Sequence, residues 1–110
     1  GEGDQSIIAG ENGERYDRVI AMRGTDFMLV YNYSGKPMKI DLTKISGSKK
    51  NVWWMNPTDG KLTFVGEMDN KVTDFTYDGA YLRGSDRVLI AVDASKDYLK
   101  KDQTELVEKD

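Results

Sequence analysis

The chain has 110 residues, of which 38% are apolar and 32% charged, and its 16 basic and 19 acidic side chains leave a formal net charge of −3. That length suits one domain with one real core. No tract is apolar for long enough to cross a membrane, and the interspersed charge lacks the basic stripe of a nucleic-acid footprint.

Residues 1–14 are polar and Gly-rich apart from Ile7 and Ile8, and read as a linker or lead-in. The opening Gly1-Glu2-Gly3, without an initiator methionine, reads as a cleavage scar on a piece of a longer polypeptide. Residues 15–94 read as a β-sandwich domain. Seven short runs with strand character follow one another at regular spacing, as in a sandwich or barrel. They are Arg18–Arg23, Asp26–Tyr33, Met38–Leu42, Asn51–Met55, Lys61–Val65, Val72–Tyr77 and Arg87–Asp93. No segment between them has the length and 3.6-residue period of a helix.

The punctuation agrees. Gly24-Thr25 suits a two-residue type II′ turn with glycine at the positive-φ position. Ser34-Gly35 before Pro37 makes a second reversal. Asn56-Pro57-Thr58-Asp59-Gly60 is the best-specified turn: Pro57 presets φ, Asn56 can accept a local backbone bond, and Gly60 can close in the left-handed region. Residues 78–86 form the longest link, where function tends to sit. Residues 95–110 are heavily charged, with Tyr98, Leu99, Leu106 and Val107 as their larger apolar side chains. They read as a charged tail or a short helix. The expected fold is an all-β, antiparallel sandwich of about seven to eight strands, of the immunoglobulin-like or glycosidase C-terminal type.

Trp53 and Trp54 are neighbours on one strand, so they point to opposite faces and cannot stack together on one flat ligand. A loop over Pro57–Gly60 sets Asn56 against Lys61, Met55 against Leu62, Trp53 against Phe64 and Trp54 against Thr63, with Val52 against Val65. The Trp53 set is the more apolar, so Trp53 is expected in the core and Trp54 outward. An outward tryptophan has three readings: cover by the protein's own loops or lead-in, contact with a neighbouring domain, or stacking on a sugar ring.

Catalytic equipment is sparse. Histidine and cysteine are both absent, which excludes disulfides, thiolate metal sites, HExxH zinc sites and serine triads of the usual kind. Asp69, Asp74 and Asp78 are conceivable as a glycosidase carboxylate pair, but acidic residues beside strands and turns more often solubilise and form turns. The same residues with Asn70 match no compact calcium loop. The glycines fall at strand ends as turn formers and build no phosphate cradle. No catalytic residue, metal or cofactor is expected. Tyr31, Tyr33, Tyr77 and Tyr81 have amphipathic tips suited to a core margin or a recognition surface. Tyr81 and Arg83, on the long link, either reach a partner or plug the sandwich end. Trp54, Tyr31, Tyr33, Tyr81 and Arg83 are therefore the candidates for binding or domain contact.

The runs Arg18–Gly24, Phe27–Tyr31, Ile40–Leu42, Val52–Pro57 with Gly60, and Asp86–Asp93 resemble, in this order, the C-terminal β-sandwich of apiosidase-like bacterial glycoside hydrolases. Family catalogues label that domain a "putative collagen-binding domain of a collagenase". The resemblance spans about residues 16–93, and its most specific part is WW-x-N-P-x-x-G with the Arg23-Gly24 turn. It implies a module that follows a (β/α)-barrel catalytic domain holding the active-site carboxylates. On that basis the chain is expected to be a non-catalytic accessory domain that packs on and stabilises the barrel. The alternative is an independent polysaccharide- or collagen-binding module. The resemblance implies a secreted, periplasmic or cell-surface bacterial protein, with no nucleic-acid partner and no membrane insertion.

Overall fold

A computed structural model describes residues 2–8, 19–32, 37–76 and 86–106. Eight strands lie among them: β1 (Glu2–Gly3), β2 (Val19–Arg23), β3 (Phe27–Asn32), β4 (Met38–Asp41), β5 (Lys49–Met55), β6 (Leu62–Asp69), β7 (Val72–Phe75) and β8 (Arg87–Asp93). Six form one sheet in the order β1-β2-β3-β8-β5-β6, and β4 pairs with β7 in a second; every pairing is antiparallel. The seven expected runs are all strands, and the sandwich fold is as expected.

The chain leaves the large sheet after β3, lays down β4, returns for the β5–β6 hairpin, adds β7 to the small sheet, and inserts β8 between β3 and β5. That central position explains the composition of β8. Val88, Leu89, Ile90, Ala91 and Val92 are all buried, because both faces of a strand in mid-sheet are covered and polar alternation is lost.

The sheets meet over one apolar layer. Ala21, Met28, Val30, Val52, Trp54, Leu89 and Ala91 from the large sheet pack on Met38, Ile40 and Phe75 from the small one. The lead-in takes part. Glu2–Gly3 pairs with Arg23 and Met22, and a 3-10 turn over Gln5–Ile7 follows. Ile7 and Ile8 are buried in the inter-sheet core, and Ile8 bridges to Ile40. The described residues 2–8 are thus structural rather than a linker, because Ile7 and Ile8 bury their side chains in the inter-sheet layer.

Two turns test the sequence reading. At the β5–β6 hairpin the Asn56 N–H donates to the Lys61 carbonyl at 2.9 Å, the Asn56 side chain accepts from the Thr58 N–H at 2.9 Å, and Gly60 sits at φ 73°, all as expected. At the β2–β3 turn Gly24 instead pairs with Phe27, its N–H donating to the Phe27 carbonyl at 3.0 Å. Thr25 and Asp26 therefore form the tip, and Gly24 does not have positive φ. A side chain at Gly24 would collide with the Phe27 ring, so close packing is what requires glycine there.

Candidate functional site

The register of β5 on β6 is as the loop dictates: Met55 faces Leu62, Trp53 faces Phe64 and Trp54 faces Thr63. Beyond Trp53 a β-bulge shifts the pairing, so Val52 faces Gly66 rather than Val65. The two indoles do point to opposite faces, but the assignment of those faces is reversed. Trp54 lies between the sheets, 9% exposed, edge-on to Phe75. Trp53 lies on the other face of the large sheet and is fully buried as well. The physical reason is that both faces of this sheet are apolar, so the richer face need not be the one that meets the second sheet. Buried between the sheets, Trp54 offers no ring face to a sugar.

That outer face carries a second apolar cluster. Trp53, Leu62, Val88, Ile90 and Val92 are buried in it, and Phe27, Leu29, Tyr31, Met55 and Phe64 pack partly buried against them. The register extends it onto β2, where Ile20 stands opposite Tyr31 and Met22 opposite Leu29.

Residues 94–106 form a strap against part of this face. The Ala94 N–H donates to the Lys49 carbonyl at 2.9 Å, and the Tyr98 hydroxyl donates to Asp26 at 2.5 Å. Leu99 then packs on the cluster. Next the strap reaches the edge of β6: the Leu62 N–H donates to the Thr104 carbonyl at 2.8 Å, and the Leu106 N–H donates to the Gly60 carbonyl at 3.0 Å. Ion pairs of Lys101 with Glu67 at 4.0 Å and Lys61 with Glu105 at 3.3 Å run alongside. Over its described part, then, the C-terminal stretch is neither a helix nor a loose tail, and it protects an edge strand that would otherwise template aggregation. Beneath it the Trp53 Nε1 and Asn51 Oδ1 atoms are buried without a hydrogen-bond partner.

On the β2–β3 side the described residues leave apolar side chains exposed. Ile20 is 45% and Met22 39% exposed, beside the half-buried Phe27, Leu29 and Tyr31. Of the residues the sequence singled out, Tyr31 belongs to this face. Tyr33, Tyr81 and Arg83 lie outside the described residues. Ile20 and Met22 carried a usable signal, since alternation along Val19–Arg23 puts them on one side together.

A polar cluster occupies one end of the large sheet, where Lys50 pairs across strands with Asp93. The Asp93 carboxylate accepts from the Ser46 hydroxyl at 2.6 Å and from the Ser95 N–H and hydroxyl at 2.9 and 2.8 Å. The Ser46 bond, then those of Ser95, lower its pKa to about 2. The buried Lys50 ammonium donates to the Gly47 carbonyl and to Asn70 Oδ1 at 2.8 Å. Burial pushes Lys50 below the ordinary lysine value, with Asp93 opposing. A carboxylate so tightly held is a poor general base at neutral pH, so this cluster joins the β4–β5 connection and the strap to β8 rather than doing chemistry.

The carboxylates weighed for glycoside cleavage are not brought together. Asp69 pairs with Lys49 on the large sheet, and Asp74 pairs with Lys39 at 3.6 Å on the small one; Asp78 lies outside the described residues. Among the described residues no cluster of acidic, histidine or cysteine side chains could hold a metal, and no helix is long and apolar enough to cross a membrane.

Comparison with known proteins agrees with this picture of a domain. A family model described as "Putative collagen-binding domain of a collagenase" matches residues 3–92. A crystal structure of a glycoside hydrolase family 5 protein from Bacteroides vulgatus ATCC 8482 is 63% identical, with a TM-score of 0.90; the match covers 96% of this chain and 23% of that one. A second structure, of a glycoside hydrolase, is 60% identical with a TM-score of 0.83, covering 88% of this chain and 22% of that one. No curated protein matches. The chain thus spans less than a quarter of the glycoside hydrolases it matches.

Proposed function

Since the chain belongs to the family described as a putative collagen-binding domain of a collagenase, and forms so small a part of hydrolases that contain its like, we propose that it is a non-catalytic accessory domain of a glycoside hydrolase. It packs on a (β/α)-barrel catalytic domain of the same polypeptide and stabilises it. The carrying observation is the 63% identical match that takes up 23% of a family 5 hydrolase chain. Among the described residues, scattered and lysine-paired carboxylates support the assignment of bond cleavage to another domain. The sequence resemblance narrows the parent enzyme to the apiosidase-like type. Together with a relative from Bacteroides vulgatus, it supports a bacterial protein working in the periplasm, at the cell surface or outside the cell.

The test is deletion of this domain from the full-length enzyme. The catalytic domain is expected to melt lower, by roughly 1–1.5 °C for each kcal/mol of lost support in a domain of about 350 residues. Unchanged melting and unchanged hydrolysis would reject the supporting role.

The family description favours a second reading, an independent collagen- or polysaccharide-binding module. It requires a contiguous aromatic surface, and it predicts that titration with collagen or a glycan panel shifts the NMR resonances of one patch that includes Tyr31. A flat response to all of them rules it out.

A further inference from the structure

We infer that the β2–β3 side of the outer sheet face, centred on Ile20 and Met22, is the surface that seats the catalytic domain; this rests on the accessory-domain reading above. The large sheet is apolar on both sides, and three of its covers are visible. The small sheet takes the inner face, Ile7 and Ile8 of the lead-in join the inter-sheet layer, and the strap sets Leu99 on the outer cluster and bonds along the edge of β6. Among the described residues of this face, Ile20 and Met22 on β2 remain 45% and 39% exposed, next to the part-buried Phe27, Leu29 and Tyr31 of β3. Scattered surface apolar residues need no explanation, but Ile20 and Met22 are exposed side by side on one face and continue a cluster of part-buried aromatic and aliphatic side chains, and such a patch marks a docking site.

The occupant is the rest of the polypeptide rather than a stranger. In both solved hydrolases most of the chain lies outside the match, and a covalently joined domain is present at millimolar effective concentration, so a modest patch suffices to hold it. The geometry suits this. β1 sets Glu2 against Arg23 on the flank of β2, so polypeptide joined ahead of Glu2 emerges at the β2 edge of the large sheet, near Met22. Tyr31 adds an amphipathic ring of the kind enriched at interfaces, where one end is apolar and the other polar.

The test uses the full-length enzyme and Met22 as a reporter, because thioether oxidation follows exposure. Hydrogen peroxide is expected to oxidise Met22 at least about tenfold more slowly than free methionine. Ile20→Lys, which places a charge in the contact, is expected to return Met22 to within about threefold of the free rate. Val72→Lys, at an equally exposed position on the small sheet, is expected to leave the protection intact. Oxidation of Met22 at the free rate in the wild-type enzyme overturns the inference, as does protection that grows with protein concentration, which would indicate a second copy. Domain deletion then separates the two failures. If the catalytic domain still melts lower without its partner, another face does the packing and only this inference falls; if it melts unchanged, the accessory-domain reading falls too.

Discussion

Trp54 meets Phe75 edge-on across the space between the two sheets, with ring centroids 6.5 Å apart and planes at 86°. It is the aromatic bridge from the six-stranded sheet to a partner of only two strands, too small to stand by itself. Ala substitution of either ring is expected to cost about 3–5 kcal/mol, a large part of a domain's total stability. The gentler pair Trp54→Leu and Phe75→Leu permits a double-mutant cycle in urea. A coupling of about 0.5–1.5 kcal/mol is expected from the ring geometry; zero coupling would mean that the two aromatics merely fill space side by side.

Trp53 depends on the strap instead. Leu99 is the strap's apolar contact with the Trp53 cluster, so Leu99→Ser should loosen the cover without touching the inter-sheet core. In a Trp54→Phe background, where Trp53 is the remaining indole, acrylamide quenching of fluorescence is expected to rise sharply on Leu99→Ser. Stability is expected to fall by about 1–3 kcal/mol, the usual range for losing a partly buried apolar side chain. Unaltered quenching would show that the strap is dispensable for covering the outer face.

Acid should weaken the domain through two carboxylates. Asp93, held first by the Ser46 hydroxyl and then by Ser95, and Asp4, held first by the Ser6 hydroxyl and then by Arg23, both have pKa values lowered from 3.8 to about 2. A depressed carboxylate favours the folded state fully above its unfolded value and loses that contribution as pH falls through its folded value. The loss therefore belongs between pH 3.8 and about 2. The urea midpoint of the wild-type chain is expected to drop across that window. Asp93→Asn starts less stable and has a shallower drop; an equally steep drop would mean that Asp93 is not the titrating anchor.

The strand pattern, the β5–β6 register and the opposition of the two indoles are legible in the sequence because each follows from local rules: alternation, and a hairpin loop whose length fixes the pairing. What alternation cannot say is which side of a sheet meets which cover. Trp54 and Trp53 changed places relative to the expectation because a lead-in, a small sheet and a strap all compete for apolar surface, and their destinations are set by contacts distant in sequence. Ile7 and Ile8 sit in a polar, glycine-rich stretch, so a local reading takes them for linker. The same limit hid the site. Tyr31 stands out by its chemistry, whereas alternation groups Ile20 with Met22 on one face without saying what covers that face.

Two glycines separate backbone strain from crowding. Gly47 has φ 98° and Gly60 φ 73°, so alanine at either must adopt a conformation that costs roughly 1–2 kcal/mol. Around Gly60 there is nothing within 4 Å of where a methyl would stand, and Gly60→Ala should cost no more than that. At Gly47 the methyl would run into the Asp93 carboxylate, which Ser46 and Ser95 hold in place and which cannot swing aside without losing those bonds. Gly47→Ala is therefore expected to cost about 1–3 kcal/mol beyond Gly60→Ala. Combining Gly47→Ala with Asp93→Ala should recover much of that excess, since the obstacle is gone. Equal costs for the two glycine variants in urea unfolding, or no relief in the double variant, would show that Asp93 does not constrain the β4–β5 connection.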